Sequence, residues 1–112
     1  MIEIEAVLDF DGTLRACKAS GHAGAGKAGS DIVCAAVSVL MRTALAALSG
    51  KEGITIRGGA PEPGLLWLEA DYTAEGKDFL FAGGVFLTEG LKSVALEYPE
   101  NCRFNIRTLR RN

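Results

Sequence analysis

Histidine occurs once in this chain, at His22, and cysteine three times, at Cys17, Cys34 and Cys102. An odd cysteine count without metal-like spacing argues against a disulfide framework and a zinc ligand set. It predicts reduced thiols, a cytoplasmic setting and no bound metal. A basic excess is also missing. The formal net charge is −2, which leaves no electrostatic footprint for direct nucleic-acid binding. The one locally basic stretch, Arg107 to Arg111, reads as a solvated terminus. The opening residues, Met1-Ile2-Glu3-Ile4-Glu5, lack the basic start and apolar core of a signal peptide. No apolar run approaches the ~18 residues that span a bilayer, so no membrane partner is expected. What the chain does have is apolar bulk: 48% of 112 residues. That suits one domain over residues 1–112 with a core that needs no disulfides.

The order of elements follows from patterning. Residues 2–9 alternate as a half-buried strand, with Ile2, Ile4, Ala6 and Leu8 on one face and Glu3, Glu5, Val7 and Asp9 on the other. Asp11-Gly12 reads as a two-residue hairpin turn, and a second strand returns over Thr13–Ala19. A helix capped by Ser30 or Asp31 is predicted to run to about Leu48, with Gly50 ending it. Its apolar residues lie almost all round, which predicts burial on more than one side. A short strand at 54–58, a proline-rich loop at 58–64 and a strand at Leu65–Tyr72 come next. A second helix is predicted over Phe79–Glu97, capped by Asp78 and carrying Gly83-Gly84 at some cost. Cys102–Leu109 closes the chain as a strand. The order β-β-α-β-β-α-β implies an α+β domain, a mainly antiparallel sheet with two helices. Cys17, Cys102 and Trp67 read as packing residues, Trp67 alternatively as an interface residue.

The chemistry-bearing stretch is residues 20–38, where a glycine-rich loop with His22 runs into the helix with Cys34 in its first turn. Three readings compete: a catalytic Cys–His pair, a phosphate-binding loop and a flexible connector. A thiol attacks as thiolate, so it needs a lowered pKa and a base within reach. A helix start favours the anion, and His22 is a proton acceptor and later a general acid. Backbone N–H groups around Cys34 offer an oxyanion site. Asp31, Cys34 and Ser38 fall on one helix face. Ser38 is placed to bond Cys34 or substrate, and Asp31 to orient His22 or cap the helix. The bland alternatives are a packed cysteine, a solvated histidine and a capping aspartate.

Two motifs resemble other chemistries. Ala6-Val7-Leu8-Asp9-Phe10-Asp11-Gly12-Thr13 resembles the first motif of haloacid dehalogenase-like phosphatases. The downstream acid pair that would hold magnesium is missing, and an Asp-Gly turn explains the same residues. Gly21-His22-Ala23-Gly24-Ala25-Gly26-Lys27-Ala28 comes within one residue of a Walker A loop, but Ala28 stands where the magnesium-binding hydroxyl belongs.

A third resemblance covers nearly the whole chain. Ser20-Gly21-His22-Ala23, then Gly29, then Asp31-Ile32-Val33-Cys34-Ala35-Ala36-Val37-Ser38 resembles the signature of the Prp (YsxB-like) ribosomal-processing cysteine proteases. The resemblance implies a catalytic pair of His22 and Cys34, with Gly21, Asp31 and Ser38 as supporting family features. It also implies a substrate loop containing Ala23, Gly24, Gly26 and Gly29 that closes over an extended peptide. No cofactor is implied. The implied partners are a second copy, as a homodimer, and a ribosomal protein precursor: large-subunit protein number twenty-seven, from which a short apolar N-terminal extension is removed. The alternatives are a non-catalytic ribosome-associated binding module and, beyond it, a magnesium-dependent phosphatase using Asp9 and Asp11.

Overall fold

The computed structural model describes residues 1–21 and 30–111, the side chains of Ser30 and Asp31 excepted. The described elements are β1 (Ile2–Leu8), β2 (Leu14–Gly21), α1 (Ser30–Leu48), β3 (Ile54–Glu62), β4 (Leu65–Tyr72), α2 (Lys77–Glu97) and β5 (Cys102–Thr108). They follow the predicted order and form a five-stranded sheet in the order β3-β4-β2-β1-β5. The pairs β1–β2, β2–β4 and β3–β4 are antiparallel, and β1–β5 alone is parallel. Ile4 faces Ala19 and Phe104 across its two neighbours, so one apolar row crosses three strands.

Alternation divides the sheet. Ile2, Ile4, Ala6, Cys17, Ala19, Leu68, Ala70 and Cys102 join Val33, Val37, Met41, Leu48, Leu80, Leu87 and Leu91 of the helices in one core. The opposite face carries the ion pairs Arg103–Glu3, Arg107–Glu5 and Arg57–Glu69. These pairs are exposed, so their role is solvation and register more than stability. Gly83 and Gly84 are two of the points where α2 closely approaches its neighbours. A Cβ on Gly84 would stand 2.7 Å from Leu14 Cβ, and one on Gly83 3.0 Å from Leu48. The pair's helix-propensity cost is thus offset by close packing onto β2 and α1.

Several boundaries differ from expectation. The first turn is wider than two residues: Leu8 pairs with Leu14, and the Asp9 amide donates to the Thr13 carbonyl at 2.7 Å. Asp9 therefore belongs to the turn. A register shift between Val7 and Leu8 accompanies burial of Val7, which is 9% exposed although it lies on the charged face. Strand β3 runs on through Pro61 to Glu62, where a loop was expected. It is an edge strand, so the missing proline N–H costs no ladder bond, and the irregularity falls between Gly59 and Glu62.

Both helices start earlier than predicted. Ser30 and Asp31 already lie inside α1, so neither is the cap that was expected there. Helix α2 begins at Lys77 after Gly76, with no side-chain cap. Its start is set by the turn in which Gly76 donates to the Thr73 carbonyl at 3.1 Å. Asp78 sits in the first turn instead, where its charge complements the helix dipole. By length and composition α2 does qualify as a bilayer span, which corrects the expectation of no such segment. Its Leu80, Gly84, Leu87 and Leu91 stripe is seated in the core, while Phe79, Phe81, Val85, Phe86 and Leu96 stay exposed.

Candidate active site

Strand β2 and helix α1 bracket the glycine-rich loop, and their facing ends form the site. Cys34 and Ser38 of α1 line a cleft of about 280 Å³ with Gly21 of β2, Ala60 and Glu62 at the end of β3, and Pro63 and Gly64 of the β3–β4 connection. Val37, Ile2 and Ala19 supply its apolar floor. The cleft has a backbone clasp: the Gly21 amide donates to the Gly64 carbonyl at 2.9 Å. Gly21 adopts φ +106°, and a Cβ there would collide with the Met1 carbonyl oxygen. Glycine is required on both counts, which gives this family-signature residue a physical reason.

Of the predicted site residues, the structure brings Cys34, Ser38 and Gly21 to one cleft. His22 is bonded to Gly21 in sequence. It lies outside the described residues, as do Ala23, Gly24, Gly26 and Gly29, and Asp31 is described in its backbone alone. One placement is corrected. With α1 starting at Ser30, Cys34 is its fifth residue rather than a first-turn residue. The amides left free by the helix are those before Cys34. Helical Cα–Cβ bonds tilt toward the N-terminus, so the Cys34 side chain leans toward that turn. Sequence reasoning missed the β3–β4 wall. The one available signal was Pro61-Glu62-Pro63-Gly64, whose tight turn aims residues 60–64 at the helix.

The three thiols are not equivalent. Cys34 is exposed, and Cys17 and Cys102 are buried as expected. Burial pushes the Cys17 thiol up to about 12 and raises that of Cys102. Both are poor nucleophiles for that reason.

The two acids of the phosphatase-like motif, Asp9 and Asp11, lie in the β1–β2 turn and have other partners. Tyr72 Oη donates to Asp9 Oδ2 at 2.6 Å, and Arg15 bridges Asp9 at 3.3 Å and Asp71 at 2.7 Å. Lys77 Nζ pairs with Asp11 Oδ2 at 2.7 Å, and the Thr13 amide donates to Asp11 Oδ1. Among the described residues no group of three His, Cys, Asp or Glu side chains is arranged to hold a metal. The antiparallel β1–β2 pairing also differs from the helical crossover that phosphatase chemistry builds on.

These contacts set an acid limit. The Tyr72 hydroxyl, with the Phe10 amide and Arg15, holds the Asp9 carboxyl below its ordinary range. The Lys77 ammonium and the Thr13 amide bring Asp11 down to about 2. A carboxylate with a depressed folded pKa stabilises the fold above its unfolded pKa, roughly 4, and loses that contribution as pH falls through the folded value. Thermal midpoints are therefore expected to fall between about pH 4 and 2. The fall should be shallower in the Asp9→Asn, Asp11→Asn double variant. An equal slope in both proteins would contradict this assignment.

The family model described as Cysteine protease Prp matches residues 1–103. Among solved structures, SMU.848 from Streptococcus mutans superposes with a TM-score of 0.80 at 27% identity, covering 97% of this chain and 96% of that one. The ribosomal processing protease Prp of Staphylococcus aureus, in complex with a substrate peptide, gives 0.79 at 22% identity, over 96% and 100% of the two chains. The same S. aureus protein with a covalently linked product peptide gives 0.79 at 23% identity, over the same shares. The S. aureus likenesses establish the fold. No curated protein matches the sequence.

Proposed function

The chain belongs to the Prp family of cysteine proteases, and from that premise we propose that it removes the short N-terminal extension of large-subunit ribosomal protein number twenty-seven. The observation that carries this reading is an exposed cysteine, Cys34, lining a cleft with Ser38 and with Gly21, the residue bonded to His22. The S. aureus protein described as a ribosomal processing protease holds a covalently linked product peptide, as a nucleophilic mechanism allows.

In the proposed reaction Cys34 Sγ attacks the scissile carbonyl carbon, and His22 takes the thiol proton. The carbon–nitrogen bond breaks as His22 returns that proton to the leaving amine. Water, deprotonated by His22, then hydrolyses the thioester and restores the thiol. The amides at the start of α1 stabilise the oxyanion, and Ser38 bonds the peptide. The setting is the cytoplasm, and the working unit is a homodimer, readable by sedimentation.

The test is incubation with ribosomal protein twenty-seven from the same genome, with products read by mass spectrometry. A single N-terminal cut, absent with Cys34→Ala and with His22→Ala, is the expected result. Intact substrate would overturn the reading. Tight binding without cleavage would replace it with a binding module.

A further inference from the structure

A second groove opens beside the cleft. It measures about 200 Å³ and is lined by Met41, Arg42 and Leu45 of α1 and by Gly59, Ala60, Leu66, Trp67 and Leu68 of the β3–β4 hairpin. Ala60 and Leu66 also line the Cys34 cleft, so the two spaces form one trough between α1 and the hairpin. Its walls are apolar except for Arg42, which is exposed and has no ion-pair partner among the described residues. The strand that borders the trough is kept thin. A Cβ on Gly58 would stand 3.1 Å from Leu45 Cδ2, and one on Gly59 3.3 Å from the Trp67 ring nitrogen. Larger residues here would narrow the trough.

We infer that this second groove is a specificity subsite for one apolar side chain of the peptide, about three residues from the bond that Cys34 attacks. This rests on the proposed protease reading for its biological meaning. The spacing is geometric. Met41 follows Cys34 by two helical turns, a rise of roughly 10 Å at ~1.5 Å per residue. An extended peptide advances ~3.3 Å per residue, so about three residues cover the span. An extended chain anchored at Cys34 and lying along the trough thus delivers a side chain at that register into the pocket of Met41, Leu45, Leu66 and Leu68. An apolar side chain displaces water from an apolar wall, whereas a charged one would be desolvated without a partner.

Disulfide tethering tests the subsite without using catalysis. Short peptides carrying one activated cysteine are exchanged onto Cys34. Its thiolate attacks the peptide disulfide, expels the leaving thiolate and forms a mixed disulfide. Cys17 and Cys102 are buried and do not compete. A single leucine is placed one, three or five residues from that cysteine, on either side, in an otherwise Gly-Ser peptide.

The expected result is one register, about three residues away, whose mixed disulfide resists reductant at least ~10-fold better than its serine counterpart, in line with the selectivity of apolar pockets. Leu45→Phe, or Arg42→Trp at the exposed rim, fills the groove and brings that advantage near unity. Equal resistance at every register, or an advantage that survives both variants, would overturn the subsite. The readout does not involve His22 or peptide cleavage, so it stands or falls separately from the protease reading.

Discussion

Cys34→Ala is expected to lower peptide hydrolysis by on the order of 10³-fold or more, the scale seen when a covalent nucleophile is removed. Cys17→Ala and Cys102→Ala are expected to keep the rate. The difference lies in where the fold puts each sulfur. Cys17 is 1% exposed and Cys102 2% exposed, and a thiol with pKa near 12 is roughly one part in 10⁵ thiolate at neutral pH. Cys34 is exposed and lines the cleft. Iodoacetamide at neutral pH should therefore modify the native protein once, at Cys34, and abolish hydrolysis in step with labelling. Substantial turnover by Cys34→Ala, or by the fully alkylated protein, would remove Cys34 from the chemistry.

Leu80→Ala is expected to cost about 2–5 kcal/mol, the range for emptying a buried leucine site. For a domain of this size that lowers the thermal midpoint by roughly 10 °C or more. Leu80 is fully buried on α2, within the core that joins β1, β2 and both helices. Leu96 on the same helix is 74% exposed, and Leu96→Ala should fall within about 0.5 kcal/mol of the parent. Chemical denaturation of the two variants checks the contrast. Similar midpoints for both would mean that α2 is not anchored by this stripe.

Much of this protein was legible in its residues. Alternation in Ile2–Leu8, with the cap and breaker residues around two long apolar stretches, yielded the element order, because side-chain period and turn residues report which face is buried and where an element ends. The stretch from Ser20 to Ser38 yielded the family, because a histidine, a glycine run and a helical cysteine at that spacing form a specific combination. Boundaries were less legible. Where α2 begins depends on the turn at Gly76 and its contact with Gly53, which are distant in sequence, and Pro61 joins a strand because β3 lies at the sheet edge.

The site divides along the same line. The expected helix-start position of Cys34, its spacing from His22 and the family resemblance singled it out as the candidate nucleophile among three cysteines. The sequence already set Cys17 and Cys102 apart as packing residues, but that residues 60–66 wall the cleft became visible only when strand order placed the β3–β4 hairpin beside α1. Sequence determines the chemistry a side chain can perform. Burial and the approach of distant backbone are properties of the folded packing, and they decide whether that chemistry has a surface to act on.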